Sequence, residues 1–119
     1  MTTEAMSIEI AERLDRFVSE GIIEPPTHSK SAVDITPRGV NKGSGVQFLA
    51  EVTQVPLADM VGIGDTAGDM PMLRLVGHPA APANADQFVK DAAEYISSQQ
   101  TTCGVIDIIQ HYLSCTSGE

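Results

Sequence analysis

Two aspartates four residues apart, Asp65 and Asp69, follow directly on the apolar run Met60-Val61-Gly62-Ile63. A run of that kind reads as a buried strand, and in open parallel sheets ligands sit at the carboxyl ends of the strands. Two carboxylates held together there repel each other unless they share a cation, and magnesium takes oxygen ligands of this sort. Gly64 allows an unusual backbone turn, and Gly68 allows a close approach of neighbouring groups. From the spacing alone a second reading stands beside this one: a surface turn in which Asp69 only caps a helix.

Upstream, Gly39-Val40-Asn41-Lys42-Gly43 sets a lysine at the start of a helix, where the helix dipole disfavours a cation. An anion facing the lysine offsets that cost; a solvent-facing lysine in a loop is the plain alternative. One helix and one strand separate Lys42 from Asp65. In a parallel α/β layout the helix start and the strand end then face the same rim. A basic group and two acids on one rim make a magnesium–phosphate site.

The elements that must position these groups follow from periodicity. Residues 7–20 read as an amphipathic helix with Ile10, Leu14, Phe17 and Val18 on one face, ended by Gly21. Glu24-Pro25-Pro26-Thr27 breaks the chain. Residues 28–36 alternate as a half-buried strand, and Pro37-Arg38-Gly39 turns. The spacing predicts a helix over 43–53 with Val46, Leu49 and Val52 inward, closed by Pro56. Then come the strand Met60–Ile63, a short helix from Asp69 or Met70 with Pro71 in its first turn, and a strand over 78–83. A helix over 85–93 capped by Asn84 follows, then an edge strand at Tyr95-Ile96 and a last helix over 104–113. The order α-β-α-β-α-β-α-β-α implies an α/β layered fold with a parallel sheet and flanking helices. The small, polar tail after Leu113 is expected to fray.

With 119 residues there is room for one small domain, and 42% hydrophobic residues suffice for a core. Seven basic against 16 acidic side chains, a net charge of -9, argue against a nucleic-acid or anionic-membrane surface, which needs basic patches. No apolar run approaches the ~18 residues of a membrane span, and Met1–Ser7 has no signal-peptide pattern. Cys103 and Cys115 lack metal spacing and read as free thiols in a reducing cytoplasm, with a disulfide as the alternative. His28, His78 and His111 show no metal spacing. Met60, Met70 and Met72 read as core filling, and Lys90 and Asp91 as exposed helix residues. "GVNKGSG" has the wrong spacing for a phosphate loop of the P-loop type.

The runs "DITPRGVNKGSGVQFLAE", "VGIGDTAGDMPML" and "PANADQFVKDAAEYI…GVIDII", in this order, resemble the C-terminal half of haloacid-dehalogenase-type (HAD) phosphatases with the type IIB cap, the sugar-phosphatase and sucrose-phosphatase-like enzymes. The resemblance covers roughly residues 28–113. It implies a partial Rossmann-like core with a remnant of the α+β cap: 1–36 as the end of the cap and the connecting strand, 37–113 as the C-terminal half of the core, 114–119 as a flexible tail. It further implies that Asp65 coordinates Mg2+ directly and that Asp69 supports the metal through water or hydrogen bonds. Lys42 would neutralise the phosphate and the phospho-aspartyl intermediate, Asn84 would lie beside the pocket, and Thr66 and Gly64 would support the loop. Family members often carry Asn where this chain has Gly68, so one side-chain contact is missing.

The family's nucleophile motif, DxDx[TV], has no match. Asp34-Ile35-Thr36 lacks the second aspartate and lies in the strand leading to Lys42, and the family's phosphate-gripping Ser/Thr motif is missing too. Covalent phosphoryl transfer needs that carboxylate, so the chain alone is expected to be silent. The expectation is a magnesium-dependent phosphatase portion acting on a small sugar phosphate once an N-terminal half completes it, or a non-catalytic remnant serving binding or assembly. Without the neighbouring strand, Met60–Ile63 presents an unpaired edge of the kind that recruits another chain: a second copy or a separate N-terminal fragment.

Overall fold

The computed structural model describes residues 2–28 and 32–117, with side chains to Cys115. The chain forms two compact units, Met1–Asn41 and Lys42–Glu119. The first begins with α1 (Thr3–Arg13), whose N-cap Thr2 accepts a hydrogen bond from the Ala5 N–H at 3.1 Å. That cap starts the helix four residues ahead of the periodic expectation. At Leu14 the N–H bonds Ala11 three residues back, a tighter step that separates α1 from α2 (Asp15–Ser19). Gly21 then adopts φ +74°, a conformation glycine accepts without steric cost.

The strand expected over 28–36 is replaced by a short antiparallel pair, β1 (Thr27–His28) with β2 (Val33–Asp34); residues 29–31 lie outside the described residues. Alternation marks a pleated segment but cannot show that the chain doubles back within it. Glu24 accepts from the Gly39 N–H at 3.0 Å and from Asn41 Nδ2 at 2.7 Å. Those two bonds hold its carboxyl below the usual carboxylate range.

The second unit carries α3 (Lys42–Thr53), a 3-10 turn at Leu57–Asp59, β3 (Val61–Ile63), a 3-10 turn at Ala67–Asp69, α4 (Met70–Leu73), β4 (His78–Ala81), α5 (Gln87–Ala92), β5 (Tyr95–Ile96) and α6 (Thr101–Ser117). The strands form one parallel sheet in the order β3-β4-β5, with Val61 opposite His78 and Ala80 opposite Tyr95. Its α/β class and parallel sheet are those expected from the alternation of elements. The core gathers Leu73, Ala81, Ala85 and Val89, with Met70, Met72 and Ala93 packed against it; burying each Leu or Val side chain contributes about 1.5–3 kcal/mol. Gly62 makes this packing possible, since a Cβ there would stand 2.9 Å from Val76.

Two expectations fail in α3. Leu49 and Val52 are not inward: they are 51% and 63% exposed, and Phe48 is 67% exposed. The helix packs on α4 and on the 3-10 turns at Leu57–Asp59 and Ala67–Asp69, and Phe48, Leu49 and Val52 lie outside that packing. The helix expected over 85–93 starts only at Gln87, after Asp86, which leaves Asn84 outside it.

α6 is longer than expected, running unbroken to Ser117. It is seated by the fully buried Ile108 and fastened by a polar network at the amino ends of the strands. Tyr95 donates to Asp107 at 2.8 Å, Tyr112 donates to Glu94 at 2.8 Å, His78 Nδ1 lies 2.8 Å from the same Glu94 oxygen, and the His111 and Tyr95 rings stack at 3.7 Å. Cys103 and Cys115 are both free and exposed. Among the described residues no helix is long and apolar enough to cross a membrane.

Candidate active site

The chain leaves β3 at Ile63 and meets Gly64, whose N–H donates to Ala80 O at 3.2 Å. Gly64 does not adopt a positive φ; the expectation of an unusual turn is replaced by one of space. A Cβ on Gly64 would stand 2.5 Å from the Asp69 Cβ and 2.9 Å from its Cγ. The glycine is there because the Asp69 side chain folds back over it.

Asp69 is 5% exposed and every contact it makes ties the loop together. Its Oδ2 accepts from the backbone N–H of Asp65 at 2.8 Å and of Thr66 at 3.1 Å. The Thr66 side chain in turn accepts from the Asp69 backbone N–H, so the two form a reciprocal capping box around the 3-10 turn. Oδ1 forms an ion pair with Lys42 Nζ. Burial alone would raise the Asp69 carboxyl, but the lysine and the two backbone donors outweigh it and hold the group below the ordinary aspartate range.

Lys42 opens α3, and the anion that offsets its unfavourable place against the helix dipole is Asp69. Its side chain remains 61% exposed. Asp65 is exposed at the mouth of the loop. Burial of its carboxyl, then the hydrogen bond and charge of Asp69, raise it above the ordinary range, and Lys42 only partly opposes this. The structure therefore brings together Lys42, Gly64, Asp65, Thr66 and Asp69.

A magnesium ion suits this set through Asp65. Both Asp69 oxygens are engaged by donors, whereas Asp65 is an exposed hard oxygen donor with a carboxylate neighbour whose repulsion a cation relieves. Magnesium is commonly held by one or two carboxylates, with water and substrate phosphate completing its shell. Among the described residues no three His, Cys, Asp or Glu side chains converge as a complete metal cage.

Asn84 behaves differently from expectation. It does not cap α5; its Oδ1 accepts from the Thr101 N–H at 2.8 Å and so tethers the start of α6. The β4–α5 loop instead reaches the acidic loop through its backbone, the Asp86 N–H donating to Asp65 O at 2.9 Å. No side-chain signal could have announced that bond, because any residue except proline supplies the donor. A shallow groove lined by Gln47, Glu51, Gln54 and Leu57 lies at the far end of α3 from Lys42.

Comparison with known proteins bears on the family and the fold. The family model of haloacid dehalogenase-like hydrolases matches residues 1–109. The chain is 38% identical over 80 residues to the phosphoglycolate phosphatase of Methanothrix thermoacetophila, an overlap of 67% of this chain and 36% of that protein. A solved protein from Streptococcus mutans superposes with a TM-score of 0.80 at 27% identity, over 95% of this chain and 42% of its own. A sugar phosphatase of HAD subclass IIB shares the fold, with a TM-score of 0.72 at 24% identity over 85% of this chain and 39% of its own. The chain thus spans little more than a third of the phosphatase relative it matches. With its parallel sheet, its acidic loop after β3 and its match over most of its length, this chain belongs to the haloacid dehalogenase-like hydrolase family.

Proposed function

We propose that this chain supplies the magnesium-binding and phosphate-facing part of a phosphomonoester phosphatase acting on a small sugar phosphate or similar small phosphomonoester, and that the nucleophile comes from polypeptide outside this sequence. The observation that carries the reading is the division of labour between the two aspartates. Asp69 is engaged by Lys42 and two backbone N–H groups, which leaves Asp65 presented at the carboxyl end of β3.

In this reading Asp65 holds Mg2+, which when bound spreads the negative charge of the transferring phosphoryl group. Lys42 faces the same charge with its exposed ammonium, aimed by Asp69 and therefore in place before the substrate arrives. Thr66 and Gly64 keep the loop closed around Asp69. None of these groups attacks phosphorus, so the contribution is positioning and electrostatics. Asn84, in the loop before α5, holds the start of α6 through its Oδ1 and supports the loop that meets Asp65. Free thiols at Cys103 and Cys115 accord with a reducing, cytoplasmic setting.

The test is magnesium-dependent phosphate release from p-nitrophenyl phosphate beside an Asp65→Ala control. No release above the control is expected from this chain alone, while Mg2+ raises the melting temperature of the parent and not of the variant. Release that vanishes in the variant would reveal a nucleophile within the chain; a magnesium effect surviving in the variant would remove Asp65 from the metal site. A second reading, a non-catalytic assembly module, is favoured by the exposed apolar face of α3 and by the open edge of β3.

A further inference from the structure

The loops that leave β3 and β4 start from the same rim, because the two strands are parallel neighbours with Ile63 opposite Ala80. The loops are then tied to each other: the Asp86 N–H donates to the Asp65 carbonyl at 2.9 Å. That bond holds two acidic residues side by side, and both are exposed. Asp86 is also the N-cap of α5. Aspartate is favoured at that position because its carboxylate accepts an N–H from the first turn of the helix. Here the carboxylate makes no such bond, and among the described residues no other hydrogen bond or ion pair engages it. An asparagine would serve a cap as well, without placing a second negative charge beside Asp65. What the aspartate adds at this position is therefore its charge.

Three carboxylates gather at this rim, and they differ. Asp69 is paired with Lys42 and with two backbone donors. Asp65 and Asp86 form no ion pair among the described residues. Like charges held close together repel each other, and a cation shared between them turns that cost into attraction. Magnesium is commonly held by one or two carboxylates, with water and phosphate filling the remaining positions. Resting on the metal reading of Asp65 given above, we infer that Asp86 is a second carboxylate of the divalent-cation site, acting with Asp65 across the hydrogen bond that joins their loops. Its part is electrostatic: it adds to the attraction for the cation and takes no proton. The inference joins two observations that otherwise stand apart, an N-cap aspartate that does not cap with its side chain and a backbone bond that sets it beside Asp65.

The test uses the full chain, uniformly 15N-labelled, with Mn2+ as the probe. The electron paramagnetic resonance signal of the free ion gives the affinity, and paramagnetic broadening of the amides gives the place. In the parent, broadening should be saturable and strongest at Asp65, Thr66 and Asp86. Asp86→Asn keeps a good cap and the backbone N–H, and should weaken Mn2+ binding about tenfold while the metal-free spectrum of the acidic loop stays as it is. Asp91→Asn removes the same charge further along α5, where salt screening should hold the loss below about twofold. Equal affinities in these two variants would overturn the proposal. So would a loss in Asp86→Asn that comes with metal-free shifts at Asp65 and Thr66, since Asp86 would then be only a structural tie. Asp65→Asn separates this inference from the reading beneath it. If that variant binds Mn2+ as the parent does, the metal reading of Asp65 falls and this inference with it. If it abolishes binding while Asp86→Asn binds as the parent does, the metal reading stands and this inference alone fails.

Discussion

Two clusters of hydrogen-bonded acids lie on opposite rims of the same three-stranded sheet. At the carboxyl rim Asp69 is 5% exposed and draws a lysine and two backbone N–H groups onto its oxygens. At the amino rim Glu94 accepts from Tyr112 and meets His78, while Asp107 accepts from Tyr95, with Glu94 exposed to solvent. The partners of the first cluster are largely backbone, so it shapes the chain; those of the second are side chains on either side of a helix interface, so it fastens α6 without dictating a path. Both look like charge clusters in a residue count. Burial and backbone convergence distinguish the one that builds a site.

Breaking that contrast should cost most at Asp69. Asp69→Ala leaves two backbone donors and the Lys42 ammonium without their acceptor, a loss of about 2–3 kcal/mol, and the melting temperature should fall by about 10 °C. Hydrogen exchange at Asp65 and Thr66 should rise with it. A fall no larger than that of the amino-rim variants would show the two clusters to be equivalent. Gly64→Ala drives a methyl into the Asp69 side chain and should cost about 1–3 kcal/mol. Gly39→Ala meets open space and suffers only from its φ of +82°, a penalty of about 1 kcal/mol. Paired denaturant titrations of these two variants compare crowding with backbone strain directly.

Charge sharpens the comparison further. Asp69 titrates below its ordinary value in the fold, so its stabilisation is complete above about pH 4 and is lost as the pH falls through the lowered value. Asp65 is shifted upward, so it destabilises the fold once ionised and ceases to do so as the pH falls through its raised value. Asp65→Asn should therefore raise the melting temperature at pH 7 by about 2 °C after solvent screening, with the gain vanishing in acid. A loss of stability at pH 7 would mean that Asp65 serves the fold. The smallest effect belongs to the exposed rim: Glu94 is held low by His78 and Tyr112, so Glu94→Gln should lower the melting temperature only slightly. That decrement should be present above the ordinary glutamate range, disappear as the pH falls through the lowered value, and shrink in high salt.

What the sequence made legible follows the same division. The strand at Val61–Ile63, the acidic loop and the lysine at a helix start could be read because apolar runs, glycines and charges stand next to one another in the chain. The pairing of Lys42 with Asp69 could not, since spacing gave a shared rim without telling which acid takes the lysine. Asn84 misled because its carbonyl is claimed by Thr101, 17 residues away, while a nearer helix lay ready as a plausible client. Leu49 and Val52 misled more usefully: periodicity correctly marked an apolar face on α3, but it carries no information on where that face finds its cover.

The fit of Asp69 over Gly64 also constrains how the chain can change. A side chain at position 64 forces Asp69 to shift, whereas trimming Asp69 to a smaller residue crowds nothing at Gly64. Either change taken first has a cost, the loss of three donors' acceptor at position 69 or a crowded methyl at position 64, but once the acid has gone its side chain no longer crowds position 64. Positions 64 and 69 are therefore coupled, and a side chain at position 64 is best accommodated when residue 69 is smaller than aspartate.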